Sequence, residues 1–282
     1  MSVVATPGRT VLVLGGAAAG KTTFLVQLHG RVSAGTSALR AREAAASLAP
    51  IEAAYRRLQQ GKAVGHTAQG TDVTLAVPAV DAAGRAVDIL VPDYAGEDLF
   101  RVVVERTIPR RWRDAAAESD EWLLLIRLTK HAILPDILTR PIGELAWEAV
   151  VEPPDGPLAL PSDMAAVELL QALLYARGQD ERGSRDLPRL TLVLSCWDEL
   201  HDVAEGTEPG DVTAERIALL DSFCRATWGP RYRVMGLSAQ GCALDDAEPA
   251  EEFLDNGPER MGWIVTADGS IDPDLTLLVE AT

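Results

Sequence analysis

Eight residues near the N-terminus constrain this chain more than any other stretch: Gly15-Gly16-Ala17-Ala18-Ala19-Gly20-Lys21-Thr22. They follow the apolar run Thr10 to Leu14 and precede Phe24, Leu25, Leu28 and Val32, whose spacing gives one apolar helical face. A buried strand that ends in glycines and turns straight into a helix leaves successive backbone N–H groups pointing out of the turn. The positive end of the helix dipole lies behind them, so the turn suits a phosphate. The pattern of Gly, four residues, Gly, Lys and Ser/Thr assigns the parts, with Gly15 to Thr23 cradling the phosphates. Lys21 would reach β- and γ-phosphate oxygens, and the Thr22 hydroxyl would ligate Mg²⁺. Only 3 of the 26 cationic residues are lysines, which sets Lys21 further apart.

The 282 residues around this turn exceed the ~150 of an average domain. They read as one enlarged domain over 1–282, with a core at about 8–245, a Pro-rich insertion at 129–187 and an extension at 246–282. A net charge of −16 argues against nucleic-acid or anionic-membrane binding, which needs basic surface. No apolar run nears the ~18 residues of a membrane span, and Val11 to Leu14 reads as a strand rather than a leader. Cys196, Cys224 and Cys242, like the four histidines, lack zinc-site spacing, which points to a reducing, cytoplasmic setting.

Strand and helix signals alternate along the chain, predicting an α/β fold: a mostly parallel sheet flanked by helices, with one antiparallel hairpin. Strands are expected at Thr10–Leu14, Trp122–Leu128, Leu190–Leu194 and Tyr232–Leu237. A hairpin is expected over 72–92 around Asp81-Ala82-Ala83-Gly84. Helices are expected from Lys21 to about Val32, over 37–60 with Pro50 as an interruption, and at about 97–117, 162–177 and 213–227. The large insertion falls between the fourth and fifth of these strands, and the tail suggests a helix and a short hairpin near Ala267-Asp268-Gly269.

A phosphate loop needs a second carboxylate near the metal and a sensor of the γ-phosphate. Asp93-Tyr94-Ala95-Gly96-Glu97 closes the hairpin's second strand, so Asp93 can hold Mg²⁺ through water and the Gly96 N–H can meet the γ-phosphate. Glu97 can orient water or serve as a base, at the cost of negative charge beside a phosphate; its bland alternative is a first-turn acid favoured by the helix dipole. Thr67 and Thr71 both precede the hairpin, and either can supply a further Mg²⁺ ligand. Arg101, Arg106, Arg110, Arg111 and Arg113 form a basic stretch suited to a solvated helix face, an acidic partner or charge stabilisation.

In this order of motifs the chain resembles the Ras-like P-loop GTPases of the TRAFAC class. Ser195-Cys196-Trp197-Asp198 follows one expected strand and Ser238-Ala239-Gln240 follows the next. The resemblance implies that Cys196 to Asp198 and Ser238 to Gln240 form the base site. Asp198 would accept hydrogen bonds from guanine, and the Ala239 N–H would meet guanine O6. The family motif reads Asn-Lys-x-Asp, whereas Ser195 and Cys196 stand in its first two positions here. That departure removes a lysine stem over the base plane and weakens the bracing of the loop; Trp197 either stacks on the base or is buried. Asp-Tyr-Ala-Gly-Glu and Ser-Cys-Trp-Asp-Glu-Leu are most similar to bacterial double-GTPase proteins of conflict and defence systems.

The resemblance thus implies a GTP/GDP-binding switch with slow Mg²⁺-dependent hydrolysis. Lys21, Gly96 and Glu97 would carry the chemistry, and an effector or regulatory protein would read the state. Two alternatives stay open from the residues. One is an ATP-dependent kinase or ATPase with Asp93 as base. The other is a scaffold that holds nucleotide without turnover.

Overall fold

Four consecutive apolar residues, Val11 to Leu14, are wholly buried in β1 (Arg9–Gly15), as a strand covered on both faces requires. The computed structural model describes residues 8–35, 37–42, 49–64, 74–92, 102, 105–130, 162–178, 187–244 and 248–280. After β1 come α1 (Lys21–Ala34), β2 (Arg40–Ala41), α2 (Ala49–Gln59), β3 (Thr74–Val80) and β4 (Ala86–Pro92). Next are α3 (Arg110–Glu118), β5 (Glu121–Ile126), α4 (Ser162–Ala176) and β6 (Arg189–Ser195). The chain continues with α5 (Pro209–Arg216), α6 (Ala218–Trp228), β7 (Tyr232–Ser238), α7 (Glu251–Asn256), β8 (Trp263–Val265) and β9 (Ile271–Asp272).

The nine strands among the described residues form one sheet in the order β2-β3-β4-β1-β5-β6-β7-β8-β9. Its centre, β4-β1-β5-β6-β7, is parallel. Both flanks are antiparallel: the expected hairpin with β2 on one side, and β8 with β9 on the other. This is the mixed α/β fold of P-loop NTPases. Short β2 raises the count by one, so the segment 129–187 falls between β5 and β6; α4 is its described helix.

Side chains alternate between two cores, one on each face of the sheet. Val11, Val13, Leu123, Leu125 and Val193 pack with Phe24, Leu25 and Leu28 of α1 and with Phe253, Leu275 and Leu278 of the tail. Leu12, Leu14, Leu124, Leu192 and Leu194 pack with Trp112, Leu170, Leu220 and Trp228. Both α1 and the helices opposite are therefore clamped, and the turn between β1 and α1 is held from two sides.

Three expectations about helices need correction. Residues 37–42 form a bend and strand β2 instead of helix, and the described helix of this stretch is α2, with Pro50 near its N-terminal end. Proline suits that place because first-turn N–H groups have no partner within the helix. The helix expected over 97–117 is absent over 106–109, where Arg106 takes φ +55° and Pro109 marks the start of α3. The helix expected over 213–227 is two helices: Pro209 opens α5, and a break at Ile217 buries that side chain before α6. The tail carries its helix and hairpin as the sequence suggests, with the turn closed by Thr266 and Ser270 around Gly269.

Candidate functional site

Parallel β1, β6 and β7 end on the same edge of the sheet, and the loops that follow them bring the motif residues together. Edges of this kind, outside the carboxyl ends of strands, are where α/β sheets bind ligands.

Gly15 ends β1 with φ +150°, and a Cβ there would lie 2.6 Å from the Leu125 carbonyl oxygen of β5. Only glycine fits so close to a neighbouring strand. The turn continues through Gly16, Ala17, Ala18 and Ala19, with Ala18 left-handed at φ +56° and Gly20 at φ +79° where α1 begins. Ala19 is buried beneath the turn, whereas a Cβ on Gly16 or Gly20 would meet nothing within 4 Å. The turn therefore has a packed underside and an open outer face. Lys21 Nζ donates to the carbonyl oxygens of Gly15 at 3.0 Å and Gly16 at 2.7 Å, which holds the ammonium over the turn. Thr22 and Thr23 lie in the first turn of α1.

Open glycines, a helix start and a lysine over the concavity are the features that suit a phosphate. The Thr22 hydroxyl, among the described residues of the turn, is a hard oxygen of the kind a cation takes. Among the described residues no group of three His, Cys, Asp or Glu forms a metal site. Mg²⁺ binds through one or two protein oxygens plus phosphate and water, so a single hydroxyl such as that of Thr22 fits it. The other expected ligands, Asp93, Thr67 and Thr71, lie outside the described residues, as do Gly96 and Glu97.

Beyond β6, Cys196 is left-handed at φ +53° and leads into a single tight helical turn, Trp197–Glu199. Burial pushes the Cys196 thiol up to about 11, so it stays protonated at neutral pH. The Trp197 ring lies against Gly236 of β7, where an added Cβ would come within 2.5 Å of it. Asp198 is held by Ser238, whose buried Oγ donates to Oδ1 at 2.6 Å and accepts from the Gly241 N–H at 3.0 Å. Ala239 and Gln240 follow, both half-buried. The tail braces this loop: a Cβ on Gly262, just before β8, would lie 2.4 Å from the Ala239 carbonyl oxygen. Arg31 of α1 donates to the carbonyls of Met261 and Pro273, each at 2.6 Å, tying the tail to the helix of the phosphate turn.

Sequence reasoning passed over Arg127. Immediately after β5, its Nε donates to Glu199 Oε2 at 2.9 Å, and its NH1 donates to the Ala18 carbonyl at 3.3 Å. Thr129 donates to the same carboxylate. Of the basic stretch, exposed Arg106 pairs with half-buried Glu168 at 2.6 Å, Arg110 pairs with Asp114 at 3.4 Å on exposed surface, and Arg101 is outside the described residues.

Comparison with known proteins adds a family. A family model described as Double-GTPase 1 matches residues 12–282. No curated protein matches the chain. Among solved structures, the fold is similar to the bacterial selenocysteine-specific elongation factor EF-Sec, with TM-score 0.39 and 11% identity over 83% of this chain. This chain spans only 26% of that protein. It is also similar to the signal recognition particle receptor SRb-GTP/SRX complex from Chaetomium thermophilum, with TM-score 0.40 and 14% identity over 85% of this chain and 94% of that one. No helix among the described residues is long and apolar enough to cross a membrane.

Proposed function

The chain belongs to the Double-GTPase 1 family, a family of GTP-binding P-loop proteins, and from that premise we propose that it is a switch that hydrolyses GTP slowly. One observation carries the proposal: a lysine-capped phosphate turn and a serine-anchored Asp198 occupy the same sheet edge.

In this mechanism the backbone N–H groups of residues 16–22 and Lys21 hold the β- and γ-phosphates and stabilise charge as water attacks in line. Mg²⁺, when bound by Thr22 with Asp93 and Thr67 or Thr71, supplies further neutralisation of the phosphate oxygens. Gly96 offers its N–H to the γ-phosphate, and Glu97 orients the water. Its negative charge beside the phosphate is the physical reason that intrinsic turnover is slow. Asp198 accepts from the guanine edge and the Ala239 N–H meets O6. A protein partner in a bacterial conflict system then reads which nucleotide is bound. Pairing of β8 with β7 supports treating 1–282 as one enlarged domain.

The test is phosphate release from GTP with Mg²⁺ by purified wild type and Lys21→Ala. Intrinsic turnover of about 10⁻⁴ to 10⁻² per second is expected for wild type and none for the variant. Equal release from both, or none from either at saturating GTP, would sink the hydrolytic claim.

A further inference from the structure

We propose that Arg127 is a positioning residue for guanine nucleotide, a cationic strut that locks the base-reading turn to the phosphate turn. The inference rests on the function proposed above.

Four observations converge on it. Arg127 grips Glu199 with two of its nitrogens, and Glu199 is the residue after Asp198. A planar fork on a carboxylate fixes orientation as well as distance. From the same guanidinium a third nitrogen reaches the carbonyl of Ala18, at the left-handed kink of the phosphate turn. One side chain thus spans the two halves of the site. Meanwhile the positions that could have brought a brace from β6 itself do not do so. Among the described residues the buried Ser195 hydroxyl has no hydrogen-bond partner, and Cys196 carries a neutral thiol.

The charge arithmetic agrees. Asp198 and Glu199 put two carboxylates at consecutive positions, both acting on the Arg127 guanidinium, and Arg127 supplies the cation that Cys196 does not. Its hydrogen bond with Glu199 holds the guanidinium more firmly protonated. Burial pulls the Glu199 carboxyl up, but the bonds from Arg127 and Thr129 outweigh it and leave the group below its ordinary value. Both side chains are partly exposed, at 25% and 30%, so the pair adds little to global stability. Its effect is local: it holds Asp198 and the Ala18 kink in register before a nucleotide arrives, which lowers the ordering cost of binding.

The experiment compares wild type, Arg127→Ala, Arg127→Lys and the charge-swapped pair Arg127→Glu with Glu199→Arg. Affinity for GDP and for inosine diphosphate, which lacks the 2-amino group that Asp198 would read, is measured by calorimetry, alongside nucleotide-free melting. Arg127→Ala should weaken GDP about tenfold and flatten the preference for GDP over inosine diphosphate, with little change in nucleotide-free melting. Arg127→Lys, which keeps the charge, should recover part of both. The swapped pair restores the ion pair without a donor for Ala18 and should stay weak. Wild-type GDP affinity and preference in Arg127→Ala would overturn the strut while leaving the proposed function intact. Failure of the wild type to bind guanine nucleotide would overturn both.

Discussion

Ser238→Ala separates the base site from the rest of the fold. The hydroxyl is fully buried, donates to Asp198 at 2.6 Å and accepts from the Gly241 N–H at 3.0 Å. A hydrogen bond to a charged group contributes about 1.5–3 kcal/mol, and a buried N–H left without an acceptor costs about 1–3 kcal/mol. The second loss falls on the nucleotide-free protein, because Gly241 is tethered whether or not a ligand is present. For a chain of this size about 1 kcal/mol shifts the melting midpoint by about 2–4 °C, so a fall of several degrees is expected. The first loss frees Asp198 to leave the direction in which it meets guanine. If half of that bond's contribution is expressed in binding, at about 1.4 kcal/mol per factor of ten, GDP affinity drops about three- to tenfold. Calorimetric titration of GDP into both proteins, with melting curves beside it, reads the two terms separately. A variant that melts lower yet binds GDP within twofold of wild type would refute the claim that Ser238 holds Asp198 for the base.

Three other perturbations follow from the same geometry. Gly236→Ala places a Cβ 2.5 and 2.9 Å from Trp197 ring carbons and 3.0 Å from Val265 Cβ. It should cost about 1–3 kcal/mol by overpacking, shift tryptophan fluorescence and weaken GDP; unchanged fluorescence would place the ring elsewhere. Gly15→Ala sets a Cβ 2.6 Å from a backbone carbonyl that cannot move without β5, so it should unfold the protein or lower its stability by about 2 kcal/mol or more, read by urea titration. The Glu199 carboxyl sits below its ordinary value in the fold, so its stabilising effect is full above the unfolded-state value and is lost as pH falls through the folded one. Wild type should therefore melt slightly above Glu199→Gln at pH 7, by less than about 1 kcal/mol, and the two should converge once pH falls below the folded-state value; a gap that persists there would contradict the assignment.

Much of the frame is visible in the sequence because it rests on local rules. The apolar run of β1, the glycines after it and the helical spacing of Phe24, Leu25 and Leu28 specify strand, turn and helix without help from distant residues. The hairpin is equally local, since Asp81 closes its own turn through the N–H groups of Ala83 and Arg85. Misread segments are those where tertiary packing decides. Residues 37–42 enter an alanine-rich stretch of good helical propensity, yet Arg40 and Ala41 pair with the edge of β3 and Leu39 is pulled into the core. Ile217 lies inside a helical pattern, and the break there is set by what it packs against. In the site, Asp198 and Ser238 were recognised as separate motifs, but their hydrogen bond joins residues 40 positions apart. Arg127 gave no signal at all, because an arginine after a strand becomes meaningful only when folding sets it between Ala18 and Glu199.

Guanine recognition despite Ser195 and Cys196 is the central claim, and thermal melting with Mg²⁺ and GDP, GTP, ADP or ATP tests it most directly. A ligand at a hundred times its Kd adds about 2.7 kcal/mol, an upward shift of several degrees. The account predicts that shift with GDP and GTP, none with ADP or ATP, and loss of the guanine shift in Asp198→Ala. A shift with adenine nucleotides, or with no nucleotide, would contradict it.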